Sequence, residues 1–213
     1  MIERALSIRQ GPNTFSAMLA VQERVPRDDV EWFVSNLEAF PDSGRDLATG
    51  DTFQIESMLL KFDCGEGGCW IYEPDFESMP VRWTRDVSRS VMMHRSQSEI
   101  ARLCGFADIE PVSMLGSLVQ GIDVGKGDRE LVLERTARQG LDSGWFVGSA
   151  DPEVSYDEPT SLRCLSVYEA ILDNPSISPF LGLPQGAYVE TSPSEVAVLF
   201  GDRVVYQGLP WQR

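Results

Sequence analysis

The residue types that carry chemistry are sparse in this chain. His94 is the only histidine among 213 residues. General acid–base catalysis near neutral pH usually recruits that side chain. Here it stands between Met93 and Arg95 in a segment with helical spacing, and it reads as a surface or boundary residue. No Gly-Lys-Ser/Thr phosphate loop and no dinucleotide glycine pattern follow a strand, and no Gly-x-Ser-x-Gly elbow is present. Asp28 and Asp29, like Asp157 and Glu158, are sequence neighbours, which does not set two carboxylates across a cleft. Asp123 and Asp128 bracket a glycine-rich turn that lacks the spacing of a calcium loop. Arg82, Arg85, Arg89 and Arg95 form a locally basic group that can bind phosphate, but among so many acids salt bridging is the expected use. The four cysteines are Cys64, Cys69, Cys104 and Cys164. With a single histidine they give no paired zinc spacing. Cys64 and Cys69 bracket a glycine-rich tip. A metal site or a redox pair is the sharper reading of them, and small hairpin residues held reduced in the cytoplasm the favoured one. The expectation is a protein that is not an enzyme, with no cofactor and no metal.

What remains is a binding pattern. Gly144–Glu158 begins as a strand expected to bring Trp145 and Phe146 to an edge. It continues as a loop with Asp151, Glu153, Asp157 and Glu158 and no base among them. Four close like charges repel unless water or a cationic partner surrounds them. A solvated surface loop is the ordinary reading. An aromatic pair beside such a loop is also a docking surface for a basic protein. Trp145, Phe146, Asp151, Glu153, Tyr156, Asp157 and Glu158 are the candidate partner-binding residues.

The whole chain has the same sign. Its 33 carboxylates against 18 Lys and Arg give a net charge of -15. From Leu141 onward ten carboxylates face only Arg163, Arg203 and Arg213, a net of -7. Such a surface repels nucleic-acid phosphates and anionic membranes and attracts basic proteins. The first residues hold no apolar stretch long enough for a signal peptide, and no run reaches the length of a membrane span. The expected location is the cytoplasm.

Three blocks in one order carry a family resemblance. They are Asp142-Ser-Gly-Trp-Phe-Val-Gly-Ser-Ala-Asp151, the stretch Leu165–Leu181 with its Asn174-Pro-Ser-Ile177 turn, and Leu183-Pro-Gln-Gly-Ala-Tyr-Val-Glu190. Together, over about residues 115–213, they resemble the immunity protein 33 domain. That domain occurs in bacterial polymorphic-toxin, contact-dependent and type VI secretion systems. A shorter block, Glu73–Trp83, is similar to an N-terminal region of proteins of the same class. The resemblance implies a cytoplasmic immunity protein that binds and neutralises a cognate secreted toxin. With the acidic surface, it points to a nuclease whose basic substrate groove is blocked. The partner is then a toxin protein, with no nucleic acid and no membrane. A regulatory or adaptor domain for a housekeeping protein or small molecule is the alternative.

Periodicity supplies the elements that must position these residues. Phe15, Ala17, Leu19 and Val21 alternate as a strand over 14–25. Pro26–Asp29 starts a helix with Val30, Phe33, Leu37 and Phe40 on one face, and Pro41–Gly44 stops it. Phe53 to Phe62 reads as one strand, with Cys64–Cys69 a turn and Trp70–Tyr72 the return. Pro74 and Pro80 exclude a central strand between them. A helix follows over Asp86–Leu103, burying Val87, Val91, Ile100 and Leu103 and ending at Gly105. Later strands are expected at Leu131–Glu134, Gly144–Val147, Val196–Phe200 and Val204–Tyr206, with a short helix over Ser166–Asn174. Without a βαβ rhythm the class is α+β. The expected architecture is two small mixed domains, residues 1–108 and 114–213, built of antiparallel sheets with short helices and joined near Ala107–Ser113.

Overall fold

The computed structural model describes residues 1–10, 13–38, 49–66 and 68–209. The expected Phe40 contact and the Pro41–Gly44 helix stop lie outside the described residues, as does the side chain of Phe15. The chain is α+β, with two sheets and a few short helices. Its contacts divide it into an N-terminal unit, Met1–Arg95, and a C-terminal unit, Ser96–Arg213.

The N-terminal unit holds β1 (Ile2–Gln10), β2 (Asn13–Val21), β3 (Thr52–Ile55), β4 (Met58–Gly65), β5 (Gly68–Pro74) and β6 (Trp83–Thr84), with α1 (Arg27–Glu38). The sheet order is β1-β2-β5-β4-β3, and β6 adds to β5. The single strand expected over Phe53–Phe62 is a hairpin. Glu56, at φ 51°, turns β3 back onto β4. Apolar residues close on either side hid that turn, because both arms bury their residues: Phe53, Ile55, Met58 and Leu60 are all core. Val30, Phe33 and Leu37 of α1 are buried as their spacing requires. Of the core positions expected for the next helix, α2 (Ser88–Leu103), Val87, Val91 and Ile100 are buried but Leu103 is exposed. Three of the four arginines of the basic group are used within the fold. Arg89 pairs with Glu77 at 2.9 Å, Arg95 pairs with Asp29, and the Arg85 guanidinium lies 4.5 Å from the Trp70 ring centre.

One expectation about this unit is corrected. Cys64 and Cys69 face one another across β4 and β5 with Cα atoms 4.0 Å apart, and they are joined as a disulfide. Antiparallel register brings the two side chains to the same face at the hairpin tip, which a five-residue separation alone does not reveal. Cys104 and Cys164 are free.

The C-terminal unit is built on β7 (Ser117–Gly121), β8 (Leu131–Arg135), β9 (Asp142–Ser149), β10 (Leu162–Ser166), β11 (Ala187–Thr191), β12 (Val196–Phe200) and β13 (Arg203–Gly208). They form one sheet in the order β10-β7-β9-β8-β11-β12-β13. Neither sheet is purely antiparallel, for β2 and β5 run parallel, as do β7 and β9. Period-2 burial splits the C-terminal sheet into two faces. Leu133, Trp145, Val147, Val189 and Val198 point inward and are buried. Also buried in this unit are Val167, Ala170 and Ile171 of the short helix α3 (Val167–Asp173) and Ile177 and Phe180 of a 3-10 turn, Pro175–Phe180. Ser166 caps α3 by accepting from Glu169 N–H, and the Glu169 carboxylate accepts from Ser166 N–H in return, a reciprocal capping box. The Asn174–Ile177 turn is anchored by buried Asn174, whose side chain accepts from Gly127 N–H at 2.7 Å and donates to the Gly125 carbonyl at 3.2 Å.

The division between units falls within α2 (Ser88–Leu103), earlier than the link expected near Ala107–Ser113. The Ala107–Ser113 segment is polar but fastened inside the C-terminal unit. Glu110 N–H donates to the Gly182 carbonyl at 2.8 Å, and buried Arg135 donates to the Glu110 carbonyl at 2.9 Å. Gln97 likewise donates to the Ser178 carbonyl at 3.0 Å. Polar composition alone does not distinguish a free linker from a strap bonded through its backbone.

Candidate partner-binding groove

The outward side chains of the seven-stranded sheet form two cross-strand rows. Phe146, Glu134, Tyr188 and Leu199 stand in register on β9, β8, β11 and β12, and Gly148, Val132, Glu190 and Ala197 form the next row. An antiparallel sheet with one face on the core commonly leaves the other to water. Here that face is recessed into a groove of about 550 Å³. Val132, Ala197, Tyr188 and Glu190 form its floor. One wall is the loop after β9, with Ser149, Ala150, Asp151, Pro152, Val154 and Tyr156, and the other is Thr191, Ser192 and Glu195 between β11 and β12. Asp151, Glu190 and Glu195 are exposed carboxylates, and no Lys or Arg lines the groove among the described residues.

Tyr156 builds the loop wall. Its ring lies across β7 and β9 at Gly121 and Gly148, where a side chain would collide with it. A Cβ on Gly148 would sit 2.8 Å from the ring, and one on Gly121 closer still. The ring meets Phe146 edge-on at 5.1 Å between centres. The hydroxyl accepts from Ser149 N–H at 2.6 Å and donates to Asp123 at 3.0 Å. Burial raises the Tyr156 phenol above its ordinary value, and the Asp123 carboxylate adds to the shift. Burial also raises Tyr188, with Glu190 next in effect. Both phenols therefore stay neutral at physiological pH and act as hydrogen-bonding, stackable rings.

The structure sorts the sequence candidates into three groups. Asp151 and Tyr156 line the groove. Glu153, Asp157 and Glu158 are exposed on the same loop but do not line it. Trp145 is a correction. β9 lies between β7 and β8 inside the sheet, so no edge presents this residue. Trp145 is 1% exposed, donates Nε1–H to the Leu181 carbonyl at 3.2 Å, and carries the Arg135 guanidinium 5.6 Å from its ring. Phe146, its neighbour, points outward and is half-buried beneath the Tyr156 ring. The Gly144-Trp145 pair has a backbone reason. Gly144 sits at φ 77°, and a Cβ there would strike the Thr136 carbonyl. Glu190 and Glu195 are the groove residues that the loop-centred reading missed. The alternation of Ala187, Val189 against Tyr188, Glu190 was the available signal, but it shows a face without showing what lies opposite.

Two other ionisable groups, His94 and Glu73, serve structure. His94 stacks on Trp32 at 3.5 Å between ring centres and pairs through Nδ1 with Glu56. Glu73 is buried and accepts from Ser90 and Arg89 N–H at the start of α2, while burial pushes its carboxyl up to about 8. Among the described residues no group of three or more His, Cys, Asp or Glu is placed to hold a metal ion.

Neither a curated protein sequence nor a solved structure matches the chain. A family model does: residues 96–200 match the Imm33-like domain. That span begins inside α2, ends with β12, and holds the groove floor, the Tyr156 loop and the Asn174 turn. The C-terminal unit thus carries an Imm33-like domain over residues 96–200.

Proposed function

We propose that this protein is an immunity protein that binds a cognate secreted antibacterial toxin through the acidic outer face of its C-terminal sheet. The observation that carries the reading is the groove of Asp151, Glu190 and Glu195, set within the Imm33-like span and lined by no cation among the described residues. The toxin class that fits is a nuclease. A nuclease domain has a basic substrate path, and an acidic face attracts it quickly and blocks the route of the phosphate backbone. Protection is by binding, not by turnover. The site of action is the cytoplasm. Among the described residues no helix is long and apolar enough to cross a membrane. The Cys64–Cys69 bond, which cytosolic thiols would reduce, belongs to the N-terminal unit, so the groove does not depend on it.

The test is a titration of this protein against a fixed amount of the toxin encoded beside it, with toxin activity followed over time. Inhibition should be complete near equal amounts, as a stoichiometric blocker requires. Replacing Asp151, Glu153, Asp157 and Glu158 by Asn or Gln should slow association and flatten its salt dependence. Complete inhibition at far below equal amounts, growing with incubation, would mean chemistry and overturn the binding reading.

A further inference from the structure

We infer that the groove on the outer face of the C-terminal sheet receives an arginine side chain of the protein partner. The inference deepens the proposed function and rests on it for the identity of that partner. Three observations select this occupant.

The first is connectivity. The floor strands β8 and β11 already have both neighbours, β9 and β11 for the one, β8 and β12 for the other. Their backbone groups are committed to the ladder, so a partner cannot add a strand there and must be read through side chains. The second is the distribution of charge and apolar surface. Val132, Ala197, Pro152 and Val154 give an apolar lining, while Asp151, Glu190 and Glu195 place carboxylates on the floor and on both walls. An occupant with an apolar stem and a cationic head satisfies both, and Lys and Arg are the side chains of that shape. The third is the pair of phenols. Tyr156 and Tyr188 both line the groove. A planar guanidinium stacks on aromatic faces and takes carboxylates in a bidentate fork, whereas an ammonium acts as a compact, strongly hydrated point charge. That asymmetry favours arginine over lysine.

The experiment uses the full chain, isotopically labelled, and a tripeptide probe, acetyl-Gly-Arg-Gly-amide, followed by NMR. Its neutral counterpart carries citrulline in place of arginine, which keeps the shape and removes the charge. The arginine peptide should shift the amides of Val132, Glu190 and Ala197, and the citrulline peptide should bind at least about tenfold more weakly, as loss of a charge-assisted contact requires. The lysine peptide should bind more weakly than the arginine one. Glu190→Gln with Glu195→Gln should reduce arginine-peptide affinity by about tenfold. Ala197→Phe, which fills the floor without touching a charge, should abolish it. Asp202→Asn, at the distant β12–β13 turn, should leave it unchanged. Equal binding of the arginine and citrulline peptides, shifts confined to residues away from the groove, or full affinity in the double glutamine variant would each overturn the inference. The two readings fail separately. Stoichiometric toxin inhibition without arginine-peptide binding removes the occupant and leaves the immunity reading. Arginine-peptide binding without toxin inhibition removes the immunity reading alone.

Discussion

The two faces of the C-terminal sheet use the same strands for opposite ends. On the inner face Leu133, Trp145, Val147, Val189 and Val198 are buried, and the charged member among them, Arg135, gives its hydrogen bonds to the Glu110 and Leu183 carbonyls. On the outer face Val132, Phe146, Tyr188 and Glu190, one residue over in each strand, keep part or all of their surface. Stability is held on the inner face. A buried aromatic contributes stability through removed surface and dense packing, while an exposed carboxylate on a groove floor contributes little to stability and remains available to a partner.

The comparison breaks most directly at the Trp145–Phe146 pair. Trp145→Ala should cost about 3–5 kcal/mol, since it removes a fully buried indole and its bond to the Leu181 carbonyl. Phe146→Ala should cost well under half of that. Denaturant unfolding of both variants measures the two values, and equal losses would erase the distinction between the faces. A smaller effect tests how the outer face is shaped. Gly148→Ala forces a Cβ against the Tyr156 and Phe146 rings and should cost about 1–3 kcal/mol while displacing the loop wall. Protease cutting within residues 150–158 should then rise, and an unchanged rate would mean that Tyr156 does not hold the loop. The smallest effect is the sharpest for the outer face. Glu190→Gln with Glu195→Gln should change stability by no more than about 0.5 kcal/mol. A loss of several times that would make these carboxylates part of the fold and unfit them for a contact role.

Particular elements show how much of this was legible. The helix of Val30, Phe33 and Leu37 follows from its 3.6-residue spacing, and α3 from Ser166, Glu169 and the terminating Pro175. These signals are local, since caps and periodic faces are set within a turn or two. The β3–β4 turn at Glu56 was hidden because no Gly, Pro or Asn marks it and apolar residues flank it closely on both sides. β7 was obscured by Gln120, a polar residue on the buried face whose side chain donates to the Val124 carbonyl at 3.5 Å. A Gly-aromatic pair looks the same in a central strand as in an outer one, so Gly144-Trp145 does not by itself reveal the central position of β9.

Legible in the residues alone are the α+β class, the acidic net charge, the absence of familiar nucleotide and hydrolase motifs, and three family blocks that fall in the Imm33-like span. Each of these depends on residue type or short spacing. The folded chain adds which strand neighbours which, that Cys64 meets Cys69 as a disulfide, that Trp145 is core, and that Asp151, Glu190 and Glu195 line one groove. Those facts join residues separated by tens of positions, and strand order and register, which no single strand encodes, bring them together.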